Sequence, residues 1–206
     1  MAGSFECLLN TVHLNSVHYT AVMPPSRHDR HSVIDCALRL LDEVGLPDLS
    51  MRRIATELDV QPSALYWHFP NKQTLLAGVA DRILAAVPDP DPADDPLRVA
   101  RSVLDALLTF RDGAEVVMSA YALRLGTPRA QRALAASLHT LPKPEPMADA
   151  AFEFILGHAM LLQQRMHAQS IGAVEADADD PTAHSDRVFD TGIRALAGLS
   201  ADRSPV

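Results

Sequence analysis

An all-helical chain is predicted by three features of the sequence: apolar residues recurring at helical spacing, proline clusters falling between those stretches, and no run of strand-like alternation. The first helix runs from Asp29 to Val44, with Val33, Ile34, Ala37, Leu38, Leu40 and Leu41 on one face and Gly45 as its stop. A short second helix opens on Ser50 as N-cap and buries Ile54, Ala55 and Leu58. After the turn Asp59–Val60–Gln61, a very short third helix starts at Pro62, whose fixed φ and missing N–H suit a first helical position, and closes before Pro70. Asn71 can cap a fourth helix carrying Leu75, Leu76, Val79, Ile83, Leu84 and Val87.

The run PDPDPADDP from Pro88 to Pro96 cannot be helical and reads as a linker. Beyond it, helices are expected over about 97–111, 114–124, 128–141 and 147–170, with Pro142, Pro144 and Pro146 interrupting before the long one. Residues 172–186, GAVEADADDPTAHSD, read as an acidic loop, and a last helix covers about 186–199. The predicted organisation is an extension over 1–25 expected to be disordered, a three-helix unit over 26–72, a larger helical unit over 73–200 and a tail over 201–206.

Composition narrows the function classes. Hydrophobic residues make up 48% and charged residues 21% of the 206, enough for a sizeable core. Cys7 and Cys36 have no metal-site or disulfide spacing, so a reducing, cytoplasmic setting is expected, with Cys36 a small core residue. Met1 to Met23 contains no lysine or arginine and so lacks the n-region of a secretory signal; Met23 is a candidate start of the functional protein. No apolar stretch approaches the length of a membrane span, so no membrane partner is expected.

The net charge is −8, but Pro24 to Leu75 is nearly balanced, with six Lys or Arg against seven Asp or Glu. The acidity lies mostly elsewhere, as it would in a DNA module fused to an acidic sensor. The residues offer no nucleophile–base set and no phosphate-cradling glycine motif. His28 and His31 lack a third ligand, and Asp177, Asp179 and Asp180 lack the glycine and glutamate of a calcium loop. Neither an enzyme nor a cofactor or metal is expected.

The second and third helices carry the functional signal. They are predicted at eight and seven residues, three apart, which is the spacing of a helix-turn-helix: one helix braces against phosphates while the next enters the major groove. Ala55 is small where the two must approach, and Val60 plugs the turn. The exposed face offers Arg52, Gln61, Ser63, Tyr66, His68 and Lys72, all suited to phosphates and base edges.

The stretch LYWHFPNKQTLL, Leu65 to Leu76, resembles the signature of the tetracycline repressor family of regulators. Upstream, VIDCALRLLDEVGLPDLSMRRIATELDV is similar to the family's first two helices without an insertion. The order Leu–Tyr–Trp–His is similar to the tetracycline repressor subgroup, as are FRDGAEV (Phe110–Val116) and VFDTGIRALAGL (Val188–Leu199).

The resemblance implies a ligand-responsive repressor that binds double-stranded operator DNA as a homodimer. A regulator without a ligand, or an activator, is the alternative. It implies that Arg52 contacts DNA, that Gln61, Pro62 and Ser63 face bases, and that Pro62 and Ala64 touch thymine methyls. Tyr66 and His68 would hold phosphates, and so would Lys72, at a helix N-terminus that favours an anion on its own account. Phe69 reads as core, pinning helix three to helix one; Trp67 reads equally as core or as a contact to the DNA backbone.

In the subgroup, two histidines serve the drug and its magnesium ion. Their places fall here at Val117 and Pro88, so tetracycline–magnesium sensing is not expected. The positions expected to line a ligand cavity are Leu104, Leu107, Leu108, Val117, Met118, Tyr121, Phe152, Leu156 and Met160, a list suited to a small hydrophobic effector. By the same resemblance, stripes on the last two helices (Phe152, Ile155, Leu156, Ala159 and Met160; Val188, Phe189, Ile193, Leu196 and Leu199) would form a four-helix bundle with a second copy.

Overall fold

Hydrogen-bonded caps set the start of most of the N-terminal helices. The computed structural model describes residues 28–173 and 181–199. Asp29 accepts the Ser32 N–H at 2.8 Å and opens α1 (Arg30–Val44); these bonds hold its carboxyl below the usual carboxylate range. Ser50 accepts the Arg53 N–H at 3.2 Å and opens α2 (Met51–Glu57). Helix α3 (Pro62–His68) has no side-chain cap and relies on Pro62 in its first turn. Asn71 accepts the Thr74 N–H at 2.9 Å while Thr74 Oγ1 accepts the Asn71 N–H at 3.3 Å, a reciprocal box that opens α4 (Lys72–Ile83).

The rest of the described chain adds α5 (Pro96–Leu108), α6 (Gly113–Ala122), α7 (Arg129–Ser137), α8 (Pro144–Ser170) and α9 (Pro181–Leu196). Among the described residues every regular element is helical. Helices α1 and α4 pack together over Val33, Ile34, Ala37, Leu75 and Val79, all buried. Helix α4 also lies along α6, while α5 and α7 pack on α8 around Val103, Leu107, Leu134, Phe152 and Ile155. Cys36 is buried as expected, and that burial pushes its thiol pKa up.

The structure corrects several predicted boundaries. Helix α2 has seven residues, Leu58 being its C-cap. Helix α4 stops at Ile83 and the chain passes through a 3₁₀ turn, Leu84–Ala86, to an extended Val87. Pro88 disfavours a helical residue before it. Helices α5, α6 and α7 end at Leu108, Ala122 and Ser137, earlier than the apolar periodicity suggests. Pro144 and Pro146 do not interrupt α8 but sit in its first turn, where backbone N–H groups need no intrahelical partner. Pro181 likewise begins α9 inside the segment expected to be loop. The extension expected over 1–25 and the tail over 201–206 lie outside the described residues.

Much of the two stripes expected to meet a second copy turns inward, while Val188 and Leu199 stay exposed. Phe152, Ile155, Leu156 and Ala159 of α8, and Phe189 and Ile193 of α9, are buried within the subunit. These apolar faces are buried against α5, α7 and each other, which removes them from water within one subunit. The α8–α9 seam is built from aromatic contacts. The Phe154 ring stacks on Phe189 at 6.0 Å, and His158 lies 5.2 Å from Phe189. His158 Nε2 and the buried Ser185 Oγ share a hydrogen bond at 3.1 Å; burial, with Arg165 nearby, lowers the imidazole pKa.

Gly192 lets this seam close, because a Cβ there would stand 2.4 Å from the Phe154 ring. Alanine normally outranks glycine within a helix, yet we expect Gly192→Ala to destabilise the protein by about 1–3 kcal/mol in chemical denaturation, since the ring must shift. The opposite sign is expected at Asp59, which holds φ 53° in the turn after α2. Asp59→Gly relieves left-handed strain and gains about 0.5–1 kcal/mol in the same assay.

Candidate functional site

The α2–turn–α3 unit is held from beneath. Ile54 and Ala55 are buried, and the Val60 N–H reaches back to the Ala55 carbonyl at 3.0 Å. Leu65 faces the core, and Phe69, immediately after α3, is fully buried. A Cβ added at Gly78 of α4 would lie 2.9 Å from Ile34 Cδ1 and 3.5 Å from the Phe69 ring, so α4 approaches α1 closely at Phe69. The Arg30 guanidinium sits 4.2 Å over the ring of Phe69 and donates from Nη1 to the His68 carbonyl at 2.7 Å. Arg30 was not singled out from the sequence: the pattern showed only a basic residue in a first turn, and its task is set by tertiary packing.

With Leu65 and Phe69 inward, the other side of α3 is left to solvent. Gln61, Pro62 and Ser63 are exposed, and Ala64 and His68 are half-buried. Tyr66 is 50% exposed and Trp67 76%, which removes Trp67 from the core. Arg52 is exposed on α2, and its carbonyl accepts from Thr56 Oγ1 at 3.0 Å. Lys72 opens α4, but its Nζ folds back to the Leu46 carbonyl at 3.5 Å. Donors and aromatic tips thus collect along one short helix and its flanks, with nothing in the described chain covering Trp67.

A second group of contacts joins this unit to the remaining helices. Gly45, at φ +79°, brings the α1–α2 loop against the loop before α6. Asp112 accepts the Leu46 N–H at 2.8 Å, and Asp42 accepts the Arg111 N–H at 3.1 Å. Gln163 of α8 completes the joint, accepting from Ala114 N at 3.2 Å and donating to the Leu107 and Phe110 carbonyls at 3.2 and 2.9 Å. Gly45 was legible only as a helix stop; a Cβ at that position would also stand 2.9 Å from Asp112 Oδ2.

A cavity of about 270 Å³ lies between α4, α6, α7 and α8. Of the nine positions expected to line it, Val117, Tyr121 and Phe152 do. The Tyr121 ring meets Phe152 edge-on at 5.3 Å, and its hydroxyl donates to Glu153 at 3.2 Å; burial and that carboxylate raise the phenol pKa. Leu104, Leu107 and Leu156 are closed into the core, and Met118 and Met160 are half-buried against it. Leu108 lines a separate groove with Met166 and Ile171. Ala80 and Asp81 of α4, Leu84 of the 3₁₀ turn, Arg124 and Gln131 also line it and were not among the expected positions. Those positions meet only because α6 ends early and its loop turns back onto α4.

A family model for bacterial regulatory proteins of the tetR family matches residues 33–79. The chain is 46% identical over 96 residues to the class A tetracycline repressor from transposon 1721 of Escherichia coli, a match covering 42% of this chain and 43% of that protein. It therefore spans less than half the length of that relative. Among solved structures, BioQ with its double-stranded DNA operator is 31% identical, with a TM-score of 0.66, covering 85% of this chain and 99% of that one. SCO0253, a TetR-family transcriptional regulator from Streptomyces coelicolor, is 35% identical, with a TM-score of 0.55, covering 69% of this chain and 90% of that one. The chain belongs to the tetR family of bacterial regulatory proteins, which are DNA-binding transcriptional regulators and not enzymes.

Proposed function

We propose that the protein is a ligand-responsive repressor that binds a palindromic operator as a homodimer and is released from it by a small hydrophobic effector. The observation that carries this reading is the solvent face of α3, where Gln61, Ser63, Tyr66 and Trp67 stand out from a helix pinned by buried Leu65 and Phe69. In that arrangement Gln61, Pro62 and Ser63 address base edges, with Pro62 and Ala64 against thymine methyls. Tyr66, Trp67, His68, Arg52 and Lys72 hold the phosphate backbone and set register. Lys72 needs only to leave the Leu46 carbonyl, a long contact at 3.5 Å, to reach a phosphate at the N-terminus of α4.

Two half-sites one helical turn apart call for two copies related by a twofold axis. The second copy is placed on the outer faces of α8 and α9. Gly157 and Leu161 on one, and Val188, Thr191 and Ala195 on the other, are exposed and largely apolar, as is Leu199 just beyond α9. The cavity between α4, α6, α7 and α8 is the proposed effector site. Helix α4 lines it at Ala80 and Asp81 and begins at Lys72 beside α3. An effector that fits better when α4 is tilted disfavours the spacing of the recognition helices that matches successive grooves, by as much as its differential affinity for the two states. Val117, in place of a metal-binding histidine, makes that wall apolar. No described helix is long and apolar enough to cross a membrane, and the proposed setting is the cytoplasm.

Trp67, the single tryptophan of the chain, provides the readout, since its fluorescence should change when α3 meets a duplex. Lys72→Ala is expected to weaken binding to every sequence and to reduce the salt slope by about one. Tyr66→Ala is expected to weaken binding uniformly with little change in slope. Gln61→Ala should instead relax preference at one base pair by about 1–3 kcal/mol. An effector found by thermal shift must also lower operator affinity. A compound that binds tightly and leaves operator affinity unchanged contradicts release by that site.

A further inference from the structure

Helix α6 closes through a left-handed residue that is not glycine. The Arg124 N–H bonds the Tyr121 carbonyl and the Leu125 N–H bonds the Ala120 carbonyl, both at 2.9 Å. The chain reverses at Arg124, with φ 55°. Glycine is favoured in such a position because a Cβ crowds the following carbonyl. Strain of this kind, when the surroundings enforce it, points to a task for the side chain. Arg124 is exposed and is one of the residues lining the cavity between α4, α6, α7 and α8. The Arg124 side chain makes no hydrogen bond or ion pair with another described residue.

The other polar groups of the lining are mostly occupied. Asp81 Oδ1 accepts both the Thr127 N–H at 2.6 Å and the Thr127 hydroxyl at 2.9 Å, which fixes that carboxylate on the loop. The Tyr121 hydroxyl is given to Glu153. Gln131 lines the same cavity, and its amide makes no hydrogen bond with a described residue. The remaining wall, including Leu84, Val117 and Phe152, is apolar. A guanidinium fork at the mouth of an apolar hole complements a planar carboxylate, which it can hold through two parallel hydrogen bonds. The volume, about 270 Å³, lies at the lower end of the range of small-molecule pockets and so suits a small ligand.

We infer that the effector is a small carboxylic acid whose apolar body fills this cavity and whose carboxylate docks on Arg124, with the Gln131 amide as a second donor. The inference rests on the reading of this cavity as the effector site and adds the chemical class of the ligand. Binding of the acid anion needs no proton transfer and no metal.

The test uses the full chain, with thermal shift and calorimetry against benzoate, phenylacetate and octanoate. Each acid is paired with its primary amide, and neutral apolar compounds such as indole are run alongside. At least one acid is expected to bind about tenfold or more tightly than its amide, since charge-assisted bonds exceed neutral ones. That preference should vanish in Arg124→Gln and survive in part in Arg124→Lys. Arg124→Gly separates the task from the fold, because it should raise stability while abolishing the preference for the acid. Equal binding of acid and amide, or a preference that persists in Arg124→Gln, overturns the inference. If indole or another neutral compound binds and weakens operator affinity while no acid binds, the carboxylate assignment falls and the sensor reading stands. If nothing in the panel binds, the inference falls, and the sensor reading is then judged on operator release by a wider neutral set.

Discussion

The structure depends on one packed contact, Phe69 driven between α1 and α4 at the point where Gly78 has no side chain. Phe69 is fully buried, and Ile34 closes over Gly78 so tightly that a methyl group would meet it at 2.9 Å. Removing a buried phenylalanine of this kind costs about 3–5 kcal/mol, a large part of the stability of a small helical unit. Arg30 covers the ring and binds the His68 carbonyl, so the last turn of α3 is tied by apolar burial and by a charge-assisted hydrogen bond. A seven-residue helix has little stability of its own. It holds its outward face steady because its inward residues are locked.

The same contact makes α4 a shared element. One side of α4 packs on α1 and Phe69, the other on α6, and its C-terminal half lines the cavity. Asp112 on the Leu46 N–H and Asp42 on the Arg111 N–H form a second tie between the same two regions. A displacement at the cavity therefore meets two routes toward α3, one through the packing of α4 and one through backbone hydrogen bonds. Both run through contiguous packing and hydrogen bonds, a kind of network able to carry coupling between sites.

Much of this was legible in the residues. Ser50, Pro62 and Asn71 mark helix starts whose chemistry is local, and all three stand where the sequence puts them. Phe69 was read as core, pinning helix three to helix one, and it is fully buried. Less legible was whatever depends on which face meets which neighbour. Prolines at 144 and 181 read as breaks, although a first turn tolerates them, and periodicity alone does not separate the two cases. The apolar stripes of α8 and α9 carried no mark of whether they face their own subunit or another. The cavity was found only in part, since Val117, Tyr121 and Phe152 were expected but Asp81, Arg124 and Gln131 come from segments joined by the fold. The positive φ of Arg124 left no trace in composition or spacing.

The most direct test of the central claim is selection of random duplex DNA by the purified protein, with the enriched sequences read against its oligomeric state. The account predicts a palindrome whose half-sites lie about one helical turn apart, bound by a dimer, with affinity falling steeply as salt rises. If a well-folded dimer enriches no sequence, the exposed face of α3 does not read DNA, and the repressor reading is contradicted.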